Sequence, residues 1–190
     1  MSEKDLLIES ILGLELDMFL NVPARYPAGC QENPDAFRLF RRVQFSVWSE
    51  ETLASYLDDL SRAKEQGQNL MTLKYARMEN LIPPLKGNPM IDRIVQMQLE
   101  AQRAMFSRYP HILSRGRPLE EDRPGVTSFK TYLRGELETY SDRTLELLCR
   151  DIQQVKDQGQ NWVEQSYAVL VRNLGYQSID EAEDTLRKKR

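Results

Sequence analysis

The sequence contains few of the residues that most often carry recognisable chemistry. It has one histidine and two cysteines among 190 residues. Two cysteines are too few for a disulfide framework, and a single histidine without a cysteine-rich or histidine-rich motif predicts no zinc site. No Glu-x-x-His pair suggests a di-iron bundle, and no glycine-rich phosphate loop suggests a dinucleotide or nucleoside triphosphate site. We therefore expect no metal, and the sequence indicates neither a cofactor nor a reaction.

Long apolar runs and a strong excess of one charge are also missing. No run approaches the ~20 apolar residues that cross a bilayer, and Glu3, Asp5 and Glu9 interrupt any signal-like pattern. We expect a cytoplasmic location and no membrane partner. The 26 basic and 29 acidic residues leave a net charge of -3, which argues against broad nucleic-acid binding. An apolar content of 41% and a charged content of 29% are typical of one soluble, globular domain.

Helical periodicity dominates the chain. Leu7, Ile11, Leu14 and Met18 recur every three or four residues and predict a first helix over residues 3–20. No segment shows the alternation of a β-strand, so we predict an all-α protein of eight to nine helices. Pro/Gly-rich stretches and the change of pattern along the chain predict the following parts: a first helical repeat (1–80), a connector (81–89), a second helical repeat (90–176), and a C-terminal helix with a basic tail (177–190).

An internal repeat is the strongest pattern in the sequence. Residues 37–78 align with 129–170 without a gap, with 13 of 42 positions identical and the run QGQN present in both copies. The alignment predicts two pseudo-symmetric four-helix repeats packed as one globular domain. Repeated glycines, Gly67 and Gly159, are predicted to end helices in the left-handed conformation, and repeated asparagines, Asn69 and Asn161, to cap the next helices. Most of the repeated residues are thus predicted to serve folding.

Function is better sought where the two copies differ. Three cations of the first copy align with uncharged residues in the second copy. The aligned pairs are Arg41/Leu133, Lys74/Ser166 and Arg77/Val169. The apolar partners indicate that Arg41 and Arg77 are partly buried. A buried cation needs a carboxylate or an anionic ligand, since isolation costs several kcal/mol. Two interpretations stay open: a phosphate or carboxylate pocket, and internal salt bridges to Glu15, Asp58 or Glu136.

Three residues are candidates for catalysis. Cys30 precedes a helix start, where a thiol can have a lowered pKa and act as a nucleophile, although a structural cysteine explains it as well. His111 falls in the corresponding loop of the second half, so a Cys30–His111 pair is conceivable. Glu136 is a candidate acid or base. Next to it, Gly135 lies inside a predicted helix, which favours a close helix crossing.

Several motifs resemble an uncharacterised bacterial family, domain of unknown function 4125. The resemblance covers residues 6–183 and rests on CQENPDAFRLFRRVQFSVWSEETLASYLDDL, NLMTLKYARM and TSFKTYLRGELETYS. Its polar motif positions match Asn21, Arg25, Cys30 and Gln31, the run at 74–78, and the run at 133–137. The resemblance implies a bacterial cytosolic protein and carries no established activity.

Together these patterns lead to one functional hypothesis and one alternative. The hypothesis is a small anionic ligand bound by Arg41, Lys74 and Arg77, with further contacts from Arg25, Gln31 and Arg134. The alternative is a non-catalytic protein–protein interaction module in which the charged residues pair internally. A nucleic-acid role is the least favoured.

Overall fold

The computed structural model describes residues 2–23 and 33–189. Within these ranges every element of regular structure is a helix, apart from one isolated β-bridge between Arg123 and Val126. The helices are α1 (Glu3–Leu20), α2 (Pro34–Ser46), α3 (Glu50–Glu65), α4 (Leu70–Met78), α5 (Pro89–Arg108), α6 (Pro110–Leu113), α7 (Phe129–Leu137), α8 (Asp142–Asp157), α9 (Trp162–Asn173) and α10 (Ile179–Lys188). The all-α prediction is confirmed.

The described residues form ten helices, whereas the sequence predicted eight or nine. The additional helix is α6, a four-residue segment inside the stretch predicted to be a loop. Four residues make a single turn, which is too short for a periodic apolar pattern to appear. Pro110 opens this turn at a position where the proline ring favours helical backbone and no amide is needed.

Local capping explains why the repeated helices begin where they do. The Ser49 side chain accepts a hydrogen bond from the amide of Thr52 at the start of α3, and Ser141 does the same for Thr144 at the start of α8. Asparagine side chains cap α4 and α9 in the same way, as predicted. Gly67 and Gly159, which follow the ends of α3 and α8, have φ values of 66° and 70°. Only glycine adopts this backbone at little cost, so the predicted glycine turns are confirmed.

The helices pack as two groups joined by three helix pairs. In the first group α1 contacts α2, α3 and α4, and in the second α5 contacts α7, α8 and α9. The groups meet where α3 packs on α8, α4 on α7, and α2 on α9. At the centre the rings of Tyr56 and Tyr140 lie 4.6 Å apart, centroid to centroid, and both side chains are buried.

Two aspartates make reciprocal contacts between α3 and α8. Asp59 on α3 accepts hydrogen bonds from the Ser141 amide (2.9 Å) and the Thr144 hydroxyl (2.7 Å). Asp151, its matched residue on α8, accepts from the Ser49 amide (2.9 Å) and the Thr52 hydroxyl (2.6 Å). Each aspartate therefore secures the N-terminus of the opposite helix. Among the described residues, no helix has the length and apolar character needed to cross a bilayer.

Candidate functional site

Four charged side chains meet in the protein interior. Glu15 on α1, Arg41 on α2, Lys74 on α4 and Glu136 on α7 are each at most 3% exposed. We call them the charge cluster. Two of these residues are cations and two are carboxylates, so the formal charges of the cluster cancel.

Arg41 is the centre of the charge cluster. Its guanidinium donates to both carboxylate oxygens of Glu15, with Nε 2.7 Å from Oε2, and its Nη1 donates to Glu136 Oε1 at 2.9 Å. The same Nη1 donates to Gln44 Oε1 at 2.6 Å, and the Gln44 amide nitrogen donates to Glu136 at 2.8 Å. The planar guanidinium pairs with both oxygens of Glu15 and still reaches Glu136, a forked geometry that the single ammonium of a lysine does not offer.

Lys74 and three tyrosines complete the hydrogen bonding. Lys74 Nζ donates to Glu136 Oε2 at 2.6 Å and to the Tyr132 hydroxyl at 2.7 Å. The Tyr140 hydroxyl donates to Glu136 at 2.5 Å, and the Tyr56 hydroxyl donates to Glu15 at 2.7 Å. Throughout the described residues, each buried side-chain nitrogen and oxygen has a hydrogen-bond partner. These hydrogen bonds offset the free-energy cost of burying the four charges.

The surroundings of Glu136 keep its carboxylate ionised. Burial by itself would raise the pKa of Glu136, but the positive charges of Arg41 and Lys74 outweigh it and hold the pKa well below its ordinary value. Burial likewise would lower the pKa of Lys74, and Glu136 reverses that shift so that the pKa is raised. A carboxylate ionised so firmly is poorly suited to donate or accept a proton near neutral pH.

Arg77 and Arg134 lie outside the charge cluster. Arg77 Nε donates to Glu138 at 2.6 Å and its Nη1 to the carbonyl of Ile82 at 3.0 Å. Glu138 also accepts the Leu85 amide at 3.1 Å, so this ion pair ties α4 and α7 to the chain between α4 and α5. Arg134 pairs with Asp92 at the surface. Of the three first-copy cations, the structure brings Arg41 and Lys74 together at Glu136 and places Arg77 elsewhere.

The other predicted site residues are not assembled into one site. Arg25, Cys30 and Gln31 lie outside the described residues. His111 Nδ1 lies 2.7 Å from Glu183 Oε1, so His111 joins α6 to α10. Neither residue forms a hydrogen bond with the charge cluster. No group of His, Cys, Asp and Glu in ranges 2–23 and 33–189 is arranged to hold a metal ion.

A cavity lies beside the charge cluster, between α2, α5, α7 and α9. It has a volume of about 210 Å³, and Gln44 and Glu136 of the hydrogen-bonded network form part of its wall. We call it the aromatic cavity because of its seven aromatic lining residues: Phe40, Trp48, Phe129, Tyr132, Tyr140, Trp162 and Tyr167. Such a lining favours flat, largely apolar ligands, which gain from ring stacking and from release of water.

A larger cleft opens next to the aromatic cavity. This outer cleft has a volume of about 740 Å³ and is walled by α5, α7 and the loop between α6 and α7. Four residues line both spaces and mark their junction: Gln102, Phe129, Tyr132 and Tyr167. The outer cleft therefore adjoins the aromatic cavity at these four residues.

The side-chain amide of Gln102 at this junction has no protein partner among the described residues. Its side chain belongs to a residue only 9% exposed, and it makes no hydrogen bond to any other described residue. Because every fully buried polar atom in this part of the chain is paired, the amide of Gln102 must face the space that it lines. The Tyr167 hydroxyl is also unpaired among the described residues, and burial raises its pKa. Unpaired polar groups inside an aromatic cavity are what an incoming ligand can bind.

The aromatic cavity is lined by the residues that match the charge cluster in the repeat. Leu133 and Ser166, the partners of Arg41 and Lys74, both line it, as does Leu148, the partner of Tyr56. Where the first copy fills the space between helices with long cations, the second copy has shorter, uncharged side chains. The cavity therefore exists where those side chains leave the space open.

The comparisons with known proteins give a family and no further match. A family model described as Protein of unknown function (DUF4125) matches residues 5–184. The chain belongs to this family. No curated protein and no solved structure matches it. The resemblance inferred from the motifs is confirmed. The DUF4125 family has no described function, so the evidence for the function of this member is the geometry of its site.

The aromatic cavity was not predicted from the sequence, although a signal for it was present. The differences between the two copies directed attention to the cations of the first. The second-copy residues at two of these positions, Leu133 and Ser166, line the cavity. Gln102 carried no signal, because it lies in α5, outside the aligned segments.

Proposed function

We propose that this protein binds a small, planar aromatic molecule in the aromatic cavity. The observation that carries the proposal is Gln102, a residue 9% exposed whose accessible amide has no protein partner among the described residues, at the junction of the cavity and the outer cleft. A primary amide presents a donor and an acceptor side by side, which matches the edge of a heteroaromatic lactam or amide. The aromatic walls would hold the faces of the ring, and Gln102 would read its edge.

Exposed apolar side chains around the opening support the same site. Phe40 is 58% exposed, Val126 45% and Phe106 43%, and each lines one of the two spaces. Large apolar side chains left in water at the mouth of a cavity are typical of ligand-binding sites. They would be covered when a ligand is bound.

In this proposal the cations of the charge cluster shape the wall of the cavity and do not themselves bind the ligand. Glu136 anchors Tyr140 directly and Tyr132 through Lys74. Both tyrosines line the cavity. An anion placed on Arg41 or Lys74 would have to displace Glu15 or Glu136, which already neutralise them. The anionic pocket made of Arg41, Lys74 and Arg77 stays a prediction, and the same holds for the interaction-module alternative.

The two-fold duplication also remains part of the proposal. The reciprocal contacts of Asp59 and Asp151, and the packing of α2 on α9 and of α4 on α7, support it. On this view the charge cluster and the aromatic cavity are two forms of one ancestral inter-helix space. The single compact domain, the bacterial origin and the cytoplasmic location stay predictions.

Dye binding tests the proposal. The probe is N-phenylnaphthylamine, an uncharged aromatic dye whose emission rises in apolar surroundings. Both tryptophans of the chain, Trp48 and Trp162, line the cavity, so energy transfer from tryptophan reports occupancy. For a ligand of this size we expect a Kd of about 10–100 µM.

Two variants at Ser166 separate cavity binding from surface binding. Ser166→Phe should fill the cavity and abolish energy transfer to the dye. Ser166→Ala keeps the space open and removes only a hydroxyl that bonds the Trp162 carbonyl at 3.3 Å, so it should bind the dye as the wild type does. Equal binding by wild type and Ser166→Phe would place the dye elsewhere and overturn the proposal.

A further inference from the structure

The outer cleft contains cations that the protein itself leaves unpaired. Arg117 and Arg123 both line it and are exposed, and neither forms an ion pair with any carboxylate of the described residues. We infer that the outer cleft binds an anionic substituent of the ligand through these two arginines. This inference rests on the proposed function, since the ring of the same ligand would occupy the aromatic cavity.

Arg117 is held in position at the junction. Its Cζ lies 4.9 Å from the centroid of the Tyr132 ring, and its Nη1 donates to the Thr127 carbonyl at 3.0 Å. The stacking and the hydrogen bond orient the guanidinium, yet they use only one of its five N–H donors. The remaining donors are available for a carboxylate, sulfonate or phosphate, which guanidinium groups bind in a paired geometry.

Arg123 is held at the rim by a tight turn. The amide and carbonyl of Arg123 each bond those of Val126 at 2.9 Å, around Pro124 and Gly125. Gly125 has a φ of 74°, which this turn requires and glycine tolerates. The turn places a cation and the exposed apolar side chain of Val126 together on the cleft wall.

Acidic groups in the cleft do not cancel both arginines. Glu120 lines the cleft, but it forms a salt bridge with Arg103. Glu121 is the one carboxylate among the described lining residues that has no ion pair. Two unpaired guanidinium groups therefore face one unpaired carboxylate, and the balance favours an anion. The ligand class that fits both spaces is a flat aromatic ring bearing a carboxylate, sulfonate or phosphate ester.

A pair of dyes tests the inference. Anilinonaphthalene sulfonate carries the anion, whereas N-phenylnaphthylamine has the same ring system without it. For the variant Arg117→Gln/Arg123→Gln we expect the affinity for the sulfonate to fall about five- to tenfold, with no change for the neutral dye. Arg115→Gln, in the same loop but outside the cleft lining, should bind both dyes as the wild type does. Added salt should weaken sulfonate binding in the wild type more than in the double variant.

The outcomes separate this inference from the proposed function. If both dyes bind the cavity and the double variant alters neither affinity, the outer cleft does not recognise anions and the inference is wrong. If the double variant loses both dyes equally, the effect is independent of charge, and the inference is again wrong. If Ser166→Phe fails to block the neutral dye, the proposed function itself is wrong.

Discussion

The charge cluster and the aromatic cavity share Glu136, and the helices around them carry different side chains at aligned positions. In the charge cluster, Arg41 of α2 and Lys74 of α4 fill the space with cations that two carboxylates neutralise. In the cavity, the residues aligned with them, Leu133 of α7 and Ser166 of α9, are shorter and uncharged and line an open space. At these aligned positions, paired charges thus occupy the charge cluster, whereas smaller uncharged side chains line the cavity.

The two regions also differ in what a mutation should do. Inside the charge cluster every polar atom depends on another, so removing one partner strands a buried charge. At the cavity, Gln102 has no protein partner, so its removal costs the folded state little. Stability and ligand binding should accordingly respond to different substitutions.

The largest effect is expected from Glu136→Gln, which breaks the charge cluster. Lys74 would lose the only carboxylate among its described partners, and Arg41 would lose one of two. The amide oxygen of the new glutamine can still accept a hydrogen bond, but it carries no charge to neutralise either cation. Stranding buried charge in this way lowers the free energy of unfolding by about 3–5 kcal/mol, measurable by urea denaturation. Glu120→Gln, at an exposed ion pair, is the control and should change stability little. Equal stability of the two variants would contradict the expectation.

The same variant should alter the acid limb of stability. The pKa of Glu136 is lowered in the folded protein, whereas an unfolded glutamate titrates near 4.5. Below about pH 5 the unfolded chain therefore takes up a proton that the folded protein refuses, and stability falls as the pH falls. Glu136→Gln lacks this group, so its unfolding free energy should decline less steeply with acid. An unchanged slope would show that other carboxylates control acid unfolding.

Asp59 and Asp151 test whether the two aligned segments are equivalent, because an aspartate occupies the same aligned position in both. Asp59→Ala and Asp151→Ala each remove an acceptor shared by a backbone amide and a threonine hydroxyl. Each should cost about 2–3 kcal/mol, and the two costs should agree within about 0.5 kcal/mol. Urea denaturation of the pair checks this. Costs that differ by more than about 1 kcal/mol would speak against equivalent roles in the two copies.

A smaller loss is expected at Gly135 of α7, which packs closely against α4. A Cβ there would lie 3.1 Å from Met78 Cγ and 3.2 Å from the Lys74 carbonyl oxygen, confirming the close helix crossing predicted for this glycine. Crowding should outweigh the gain in helix propensity, so Gly135→Ala loses about 1 kcal/mol. Gly13→Ala, in α1 with open space around it, should instead gain up to about 1 kcal/mol. Thermal unfolding of both variants measures the difference in sign.

The smallest effect on stability is expected from Gln102→Leu. Because the amide has no protein partner among the described residues, the free energy of unfolding should stay within about 1 kcal/mol of the wild type. Binding of a quinolinone lactam, measured by displacement of N-phenylnaphthylamine, should weaken. Its N-methyl derivative keeps the carbonyl but lacks the N–H, so the loss of affinity between wild type and variant should be smaller for it than for the lactam. A loss of stability above about 2 kcal/mol would mean that Gln102 serves the fold.

Much of the fold was predictable because its signals are local. Asn69, Asn161 and Gly67 act on backbone groups within a few residues of themselves, and their predicted roles as caps and turns are confirmed. The predicted helix count was wrong because it omitted α6. A single helical turn is too short to show a periodic apolar pattern. The site was predictable only in part: burial of Arg41 follows from its apolar partner Leu133, whereas Arg77 proved to pair with Glu138 outside the cluster.

The amino-acid sequence alone specified the helices, their caps and their ends, because these depend on interactions between residues that are close together in the chain. Which charges meet was settled by packing. Glu136 is 95 residues from Arg41 and reaches it only because α7 folds against α4 and α2 against α9. The aromatic cavity has the same origin: four separate helices must converge before the short side chains of Leu133 and Ser166 leave a space between them.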